Sequence, residues 1–198
     1  MLKSLFEYDA YFFDLDDTLY PETSYLFPAY KEIAKYVAKK YNLDSKELYH
    51  FLEERFLECG RNKLFNKMNK HFGIPDIEID EYLKILRNYT PGNKLPLYEN
   101  MKSLLKKLNG LKKKIFIITN GNVTQQKNKI KNLDWDGIEI TDTVYANMLK
   151  PKPSPTAIKS IIDKYKLTPK ECLFIGDALT DKLSAANAGI DFVFVDML

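Results

Sequence analysis

The chain has 198 residues, of which 45% are hydrophobic and 29% charged, the balance of an ordinary globular protein of one domain or a domain with a small insertion. The net charge of only +3 gives no reason to expect a nucleic acid as partner. No apolar run approaches the roughly 20 residues that span a bilayer, so no membrane partner is expected. Cys59 and Cys172 lack metal-ligand spacing and are typical of reduced thiols in a cytoplasmic protein.

The first predicted element is a short buried strand over residues 10–13. Its near-continuous apolar character is typical of a parallel sheet that is covered on both faces. Three carboxylates, those of Asp14, Asp16 and Asp17, follow it directly. Because an unpaired buried charge is very costly, these groups need a counter-charge, and a divalent cation is the obvious one. We interpret Asp17 as a turn residue and not as a ligand.

The segment from Pro21 to about Thr90 has a helical pattern throughout. Helices are predicted over residues 31–41, 44–59, 63–72 and 80–88, and most of the breaks between them contain Asn or Gly. The lysines that cluster over 102–114 and 127–131 also fall mostly on predicted helix faces, and we interpret them as solvated surface.

From Tyr98 onward, helices and strands alternate. Helices are predicted over 98–108, 123–133, 155–165 and 181–188, and strands over 114–119, 143–146, 172–175 and 192–195. Such alternation predicts a parallel sheet with helices on both faces. The first strand joins that sheet, so the helical block is an insertion after it. We therefore predict an α/β fold: a three-layer core of residues 1–20 and 91–198, and a small all-helical cap of residues 21–90.

Several strands of this sheet end in residues that carry chemistry. In open parallel sheets, ligands bind outside the carboxyl ends of the strands. The residues concerned are Asp14 and Asp16, Thr119 and Asn120, Asp177 and Asp181, together with Lys150 and Lys152 before a helix. Carboxylates supply the hard oxygen ligands that Mg²⁺ prefers, and the Thr119 hydroxyl with the backbone amides that follow it can donate to phosphoryl oxygens. A lysine offsets the remaining negative charge.

Taken in order, these motifs resemble those of the haloacid dehalogenase (HAD) superfamily of hydrolases, of the kind with a helical cap inserted after the first motif. They are D-x-D at Asp14 and Asp16, T-N at Thr119, a Lys-Pro before a helix, and G-D-x-x-x-D from Gly176 to Asp181. The resemblance covers essentially the whole chain and implies the Rossmannoid core of that family.

The resemblance also implies roles for the motif residues. Asp14 would attack phosphorus and become an aspartyl phosphate, and Asp16 would act as general acid and base. Mg²⁺ would lie between the carboxylates of Asp14 and Asp177 and the backbone carbonyl of Asp16, with Asp181 supporting it directly or through water. The phosphoryl group would be bound by Thr119, Asn120 and Lys152.

The lysine of the third motif is ambiguous in the sequence. Lys150 and Lys152 are each followed by Pro-x-Pro. The position of Ile158 in the next helix and the distance in sequence to Asp177 favour Lys152.

The function that this resemblance implies is a Mg²⁺-dependent phosphatase acting on a small soluble phosphomonoester, a sugar phosphate or a nucleoside monophosphate. The second aspartate, Asp16, argues against a dehalogenase, because dehalogenases of the family lack it. A phosphomutase, or a phosphonatase with a reactive cap lysine such as Lys31, Lys63 or Lys67, stays open. A non-catalytic phosphate-binding module is less favoured, since no motif residue is missing. The sequence indicates neither the particular substrate nor the oligomeric state.

Overall fold

The computed structural model describes residues 3–198 of the chain, which divide into two compact units. The first unit contains the chain up to Glu22 together with Lys94–Leu198, and the second contains Thr23–Asn93. The first is an α/β unit and the second is entirely helical. None of the described helices is long and apolar enough to cross a membrane.

The α/β unit is built on a five-stranded sheet. Its strands are β1 (Ala10–Phe13), β2 (Lys114–Thr119), β3 (Asp142–Tyr145), β4 (Cys172–Gly176) and β5 (Asp191–Phe194). All neighbouring strands are parallel, and their order across the sheet is β3-β2-β1-β4-β5. The predicted α/β class with a parallel sheet is therefore confirmed.

Four helices connect these strands: α5 (Glu99–Gly110), α6 (Val123–Asn132), α7 (Thr156–Tyr165) and α8 (Leu179–Ala188). Strand β1 is buried along its whole length, and on one face its Phe12 packs with Phe116 and Phe174 of the strands on either side. That face also contacts buried residues of α7 and α8, such as Ile158 and Ala185. Burial of this apolar surface is the main stabilising contribution to the sheet.

The helical unit contains α1 (Thr23–Tyr41), α2 (Ser45–Cys59), α3 (Leu64–Phe72) and α4 (Ile79–Asn88). Asp44 caps α2 by accepting from the backbone N–H of Lys46, and α3 ends at Gly73 in the left-handed conformation. Helix α1 begins eight residues before the predicted start at Lys31 and includes Pro28. The proline lacks one backbone donor near the start of the helix, and the buried side chains of Tyr25 and Leu26 stabilise the additional turns.

Candidate active site

The central strand and its two neighbours bring three of the predicted site residues to one edge of the sheet. Strand β1 lies between β2 and β4, and Phe13 is in register with both Ile117 and Ile175. Asp14 follows β1, Thr119 ends β2 and Asp177 follows β4. The carboxyl ends of parallel strands point the same way, so these polar groups converge where the apolar strands end.

Asp14 is largely buried beside two other charged groups. The ammonium of Lys152 donates to Oδ1 of Asp14 at 2.5 Å and lies 2.7 Å from Oδ1 of Asp181. Burial raises the pKa of Asp14 to about 7; Lys152 opposes this shift, and the neighbouring carboxylates of Asp181 and Asp16 add to it. Lys152 therefore does not compensate the full cost of burying the Asp14 carboxylate, and a second positive charge nearby would stabilise its ionised form.

The structure distinguishes the two candidate lysines of the third motif. Lys150 is exposed, whereas Lys152 is buried and its ammonium also donates to the backbone carbonyl of Ile118 at 3.0 Å. Burial acts to lower the pKa of Lys152, but the charges of Asp14 and Asp181 outweigh it and raise that pKa. Lys152 is therefore held as a cation beside Asp14.

Asp14, Asp177 and Asp181 form an acidic cluster whose donor set fits a divalent cation. One carboxylate oxygen of each lies within 4.8 Å of the others. Asp177 accepts from the Thr18 hydroxyl at 3.1 Å through Oδ1. Asp181 is fully buried; its Oδ2 accepts from the backbone N–H of Ala178, and its Oδ1 takes part in the ion pair with Lys152 without hydrogen-bond geometry. Three hard oxygen donors at this spacing suit Mg²⁺. The carboxylates of Asp14 and Asp177 each accept one side-chain hydrogen bond, whereas both oxygens of Asp181 contact protein groups.

Gly176 is required at the end of β4 by the closeness of Asp181. A Cβ at position 176 would lie 2.5 Å from Oδ2 and 2.8 Å from Cγ of Asp181. We expect Gly176→Ala to lower the free energy of unfolding by about 2 kcal/mol, because either the strand or the buried carboxylate has to move. Urea unfolding measures this loss. The control is Gly110→Ala in α5, where a Cβ meets nothing within 4 Å and no loss is expected. Equal stability of the two variants would contradict the prediction.

Asp16 lies outside the acidic cluster, and its side chain is held by three neighbours. Lys129 donates to both carboxylate oxygens at 2.8 Å, the Tyr20 hydroxyl to Oδ1 at 2.8 Å, and Gln126 to Oδ2 at 3.0 Å. Burial acts to raise the pKa of Asp16, but the charge and hydrogen bonds of Lys129, with those of Gln126 and Tyr20, outweigh it and lower that pKa. A metal contact of this residue would have to use its backbone carbonyl, as the family resemblance implies.

The two T-N residues have different surroundings. Thr119 is buried, and its hydroxyl oxygen accepts from Gln126 at 2.5 Å. The side-chain amide of Asn120 instead bonds both backbone groups of Lys152, donating to its carbonyl at 3.0 Å and accepting from its N–H at 2.9 Å. Asn120 thus fixes the segment that presents Lys152, which leaves its backbone N–H as the group that fits the predicted phosphate contact.

Asp17 occupies a turn. Its φ of +54° is left-handed, and Oδ1 of its side chain accepts from the backbone N–H of Glu22 at 2.9 Å. Asp and Asn adopt this conformation more readily than most residues.

Sequence reasoning misses Gln126, Lys129 and Glu22. It assigns Lys129 to a solvated lysine cluster, and this prediction is wrong: the side chain is fully buried. The signal is the composition of α6, VTQQKNKIKN, in which only Val123 and Ile130 are apolar. A helix that follows a buried strand and has so few apolar residues has to bury polar ones.

The described residues thus place an acidic cluster, a buried lysine and a second carboxylate at the carboxyl edge of a parallel sheet. The model of the haloacid dehalogenase-like hydrolase family matches residues 11–195. The chain therefore belongs to the haloacid dehalogenase-like hydrolase family.

Individual relatives are more distant. A glyceraldehyde 3-phosphate phosphatase from Methanopyrus kandleri is 23% identical over 184 residues, which cover 90% of this chain and 79% of that protein. The HAD-hydrolase YfnB from Bacillus subtilis, solved bound to magnesium, has a TM-score of 0.62 and 19% identity, covering 94% of this chain and 87% of that one. The CbbY protein of Rhodobacter sphaeroides, a mutant solved in complex with xylulose-(1,5)bisphosphate, has a TM-score of 0.62 and 14% identity, covering 94% and 85%. These structures share the fold.

Proposed function

We propose that this protein is a Mg²⁺-dependent phosphatase that hydrolyses a small phosphomonoester through an aspartyl phosphate on Asp14. The observation that carries this proposal is the contact of Asp14 with Lys152 inside the acidic cluster, two residues before a second carboxylate, Asp16. The name of the Methanopyrus relative supports a phosphatase. Asp14, Asp177, Asp181 and the Asp16 carbonyl would hold Mg²⁺, which supplies the positive charge that lets a carboxylate approach a phosphate dianion.

The reaction proceeds in two displacements. A carboxylate oxygen of Asp14 attacks phosphorus, and the bond to the leaving oxygen breaks as that oxygen takes a proton from Asp16. Water then attacks the aspartyl phosphate and gives its proton to Asp16, which releases inorganic phosphate and restores Asp14. The phosphoryl group is bound by the Thr119 hydroxyl, the backbone N–H of Asn120 and the Lys152 ammonium.

The protonation of Asp16 follows the charge around it. Its lowered pKa makes it a carboxylate in the substrate-free protein, the form that accepts a proton from the attacking water. A phosphate dianion close to Asp16 raises the pKa of this carboxyl, which favours the acid form for the first step.

The inserted helical unit is proposed to be the cap. The chain leaves the α/β unit at Glu22, a few residues after Asp16, and returns to it at Lys94. Caps of this kind exclude water from the reaction, which suits small substrates such as sugar phosphates and nucleoside monophosphates.

The test is a screen of phosphorylated metabolites that includes triose phosphates, pentose phosphates and nucleoside monophosphates, with Asp14→Asn as the blank. Release of inorganic phosphate by the wild type and not by the variant supports the proposal. Isomerised phosphate esters without free phosphate would indicate a phosphomutase instead. Equal release by wild type and Asp14→Asn would overturn the nucleophile assignment.

Removal of divalent metal with a chelator is expected to abolish phosphate release, and added Mg²⁺ to restore it. Asp177→Asn removes one carboxylate of the cluster, so we expect the Mg²⁺ concentration for half-maximal activity to rise by about tenfold or more. Thermal unfolding without substrate provides an independent readout, since Mg²⁺ should raise the melting temperature of the wild type more than that of Asp177→Asn.

The matched control is Asp163→Asn, an exposed aspartate of α7. Its response to Mg²⁺ should equal that of the wild type in both assays. The same Mg²⁺ dependence for Asp177→Asn and the wild type would count against the proposed metal site.

A further inference from the structure

Lys129 is a fully buried lysine in the middle of α6. Its ammonium lies 2.8 Å from both carboxylate oxygens of Asp16 and donates to Oε1 of Glu22 at 2.6 Å. The Glu22 side chain is only 4% exposed. Withdrawing an ammonium and carboxylates from water costs several kcal/mol for each ion, and this geometry provides the compensating contacts.

Helix α6 connects two groups of the proposed reaction. Gln126 and Lys129 are three residues apart and therefore lie on one face of the helix. Gln126 donates to Asp16 at 3.0 Å and to the Thr119 hydroxyl oxygen at 2.5 Å. One face of α6 therefore contacts both Asp16, the proposed acid and base, and the Thr119 hydroxyl, which is proposed to bind the phosphoryl group.

Stability alone does not account for this arrangement. Replacing a buried ion pair with apolar residues of similar volume is often neutral or stabilising, so packing of the core does not by itself require charges at positions 129 and 22. The buried charges are aimed at Asp16, where the donors of Lys129, Gln126 and Tyr20 leave the carboxylate little rotational freedom.

We propose that Lys129 is a positioning residue that fixes the Asp16 carboxylate for its two proton transfers, with Gln126 aligning the Thr119 hydroxyl to the same frame. This inference rests on the proposed function, since it assigns Lys129 a role through Asp16. Lys129 does not itself touch the reacting atoms. Its loss should lower the rate of the chemical steps and leave substrate binding nearly unchanged.

The experiment is a double-mutant cycle of Lys129→Met and Asp16→Asn, measured on the best substrate from the screen. We expect Lys129→Met to lower kcat by roughly 10- to 100-fold while KM changes less than about threefold, because misplacing a general acid and base forfeits part of their contribution. In the Asp16→Asn background, the same change should lower the residual kcat by less than about threefold. Lys131→Met, an exposed lysine of the same helix, is the control and should match the wild type.

A second variant distinguishes a folding defect from a loss of catalytic positioning. Lys129→Met leaves Glu22 as a buried carboxylate without this lysine, whereas Lys129→Met combined with Glu22→Gln removes that charge as well. The combined variant should unfold at a higher temperature than Lys129→Met alone, because only Asp16 then lacks its lysine, and its kcat should stay low. Lys129→Arg keeps a cation and should recover part of kcat.

The proposal is overturned if the combined variant recovers wild-type kcat, if Lys129→Met changes kcat by less than threefold, or if its effect is equally large with Asp16→Asn. Each of these results, with an active wild type and an inactive Asp14→Asn, leaves the proposed phosphatase intact. A wild type without phosphate release on the whole panel would instead overturn the proposed function.

Discussion

Asp14→Asn is expected to abolish phosphate release and at the same time to stabilise the metal-free protein at pH 8. The loss of activity follows from the proposed role of Asp14 as nucleophile, since an amide oxygen could not form the proposed aspartyl phosphate. A reduction of at least about 10⁴-fold is expected, because neighbouring groups cannot replace a covalent catalyst that acts together with them.

The gain in stability follows from the pKa of Asp14. Burial raises this pKa to about 7 in the folded protein, against an ordinary value of 3.8. At pH values between these two, the folded state binds more protons at Asp14 than the unfolded state. The contribution of Asp14 to the free energy of unfolding therefore falls as the pH rises through this range. Above pH 7 the buried carboxylate is ionised at a net cost. Asparagine carries no charge, and the variant should be more stable than the wild type by about 2 kcal/mol at pH 8.

Asp16→Asn, two residues away, is expected to change the stability of the protein in the opposite direction. The pKa of Asp16 is lowered in the folded state, so its ionised form stabilises the protein above its ordinary pKa, and that stabilisation is lost only as pH falls below it. Asp16→Asn should therefore destabilise the protein at pH 8 by about 2 kcal/mol, since Lys129 loses one of its two carboxylate partners.

Urea unfolding of the wild type and of both variants, in chelator at pH 8 and pH 5, measures the gain in stability of Asp14→Asn and the loss of Asp16→Asn. At pH 5 the difference between Asp14→Asn and the wild type should shrink, because the wild-type Asp14 carboxyl is then largely protonated. Shifts of the two variants in the same direction at pH 8 would contradict this account of the two aspartates.

The sequence carries most of the information for the fold and for the residues at the strand ends. The alternation of strands and helices predicts the parallel sheet, and the apolar run before Asp14 identifies a strand buried on both faces. These predictions depend only on local pattern and on the rule that parallel strands end at one edge. Belonging to the haloacid dehalogenase-like hydrolase family agrees with the motif order from Asp14 to Asp181.

What the sequence does not carry is the partner of each polar side chain. Lys129 stands in a run of lysines, and whether one of them is buried depends on the position of Asp16 and Glu22 across the unit. The Asn120 side chain likewise bonds the backbone of Lys152, which is 32 residues away in the chain. Both pairings join residues that are far apart in the sequence, so the residue pattern within a single helix or strand does not predict them.

Lys152→Met is expected to cause the largest loss of stability among these single substitutions. The ammonium pairs with both Asp14 and Asp181, which are buried. Without it, the buried carboxylates of Asp14 and Asp181 repel one another without a compensating cation, and the exposed carboxylate of Asp177 adds to the repulsion. Breaking a buried pair in this way costs about 4 kcal/mol, which should appear in urea unfolding at pH 8 with chelator present.

The loss at Lys152 should be reversible by protons and by metal. At pH 5 the Asp14 carboxyl is protonated, because burial already raises its pKa and the opposing charge of Lys152 is absent in the variant, which should therefore recover part of its stability. Mg²⁺ should also stabilise Lys152→Met, by supplying positive charge to the same oxygens. Phosphatase activity should not return with Mg²⁺, since the cation that we propose to contact the transferring phosphoryl group is missing.

Lys150→Met is the matched control, because this lysine is also followed by proline but is exposed. Its free energy of unfolding should stay within about 0.5 kcal/mol of the wild type, and its activity should be unchanged. A large loss at position 150 with little change at 152 would reverse the assignment of the two lysines. A pH-independent loss in Lys152→Met would show that packing of the side chain, and not its charge, is what the acidic cluster requires.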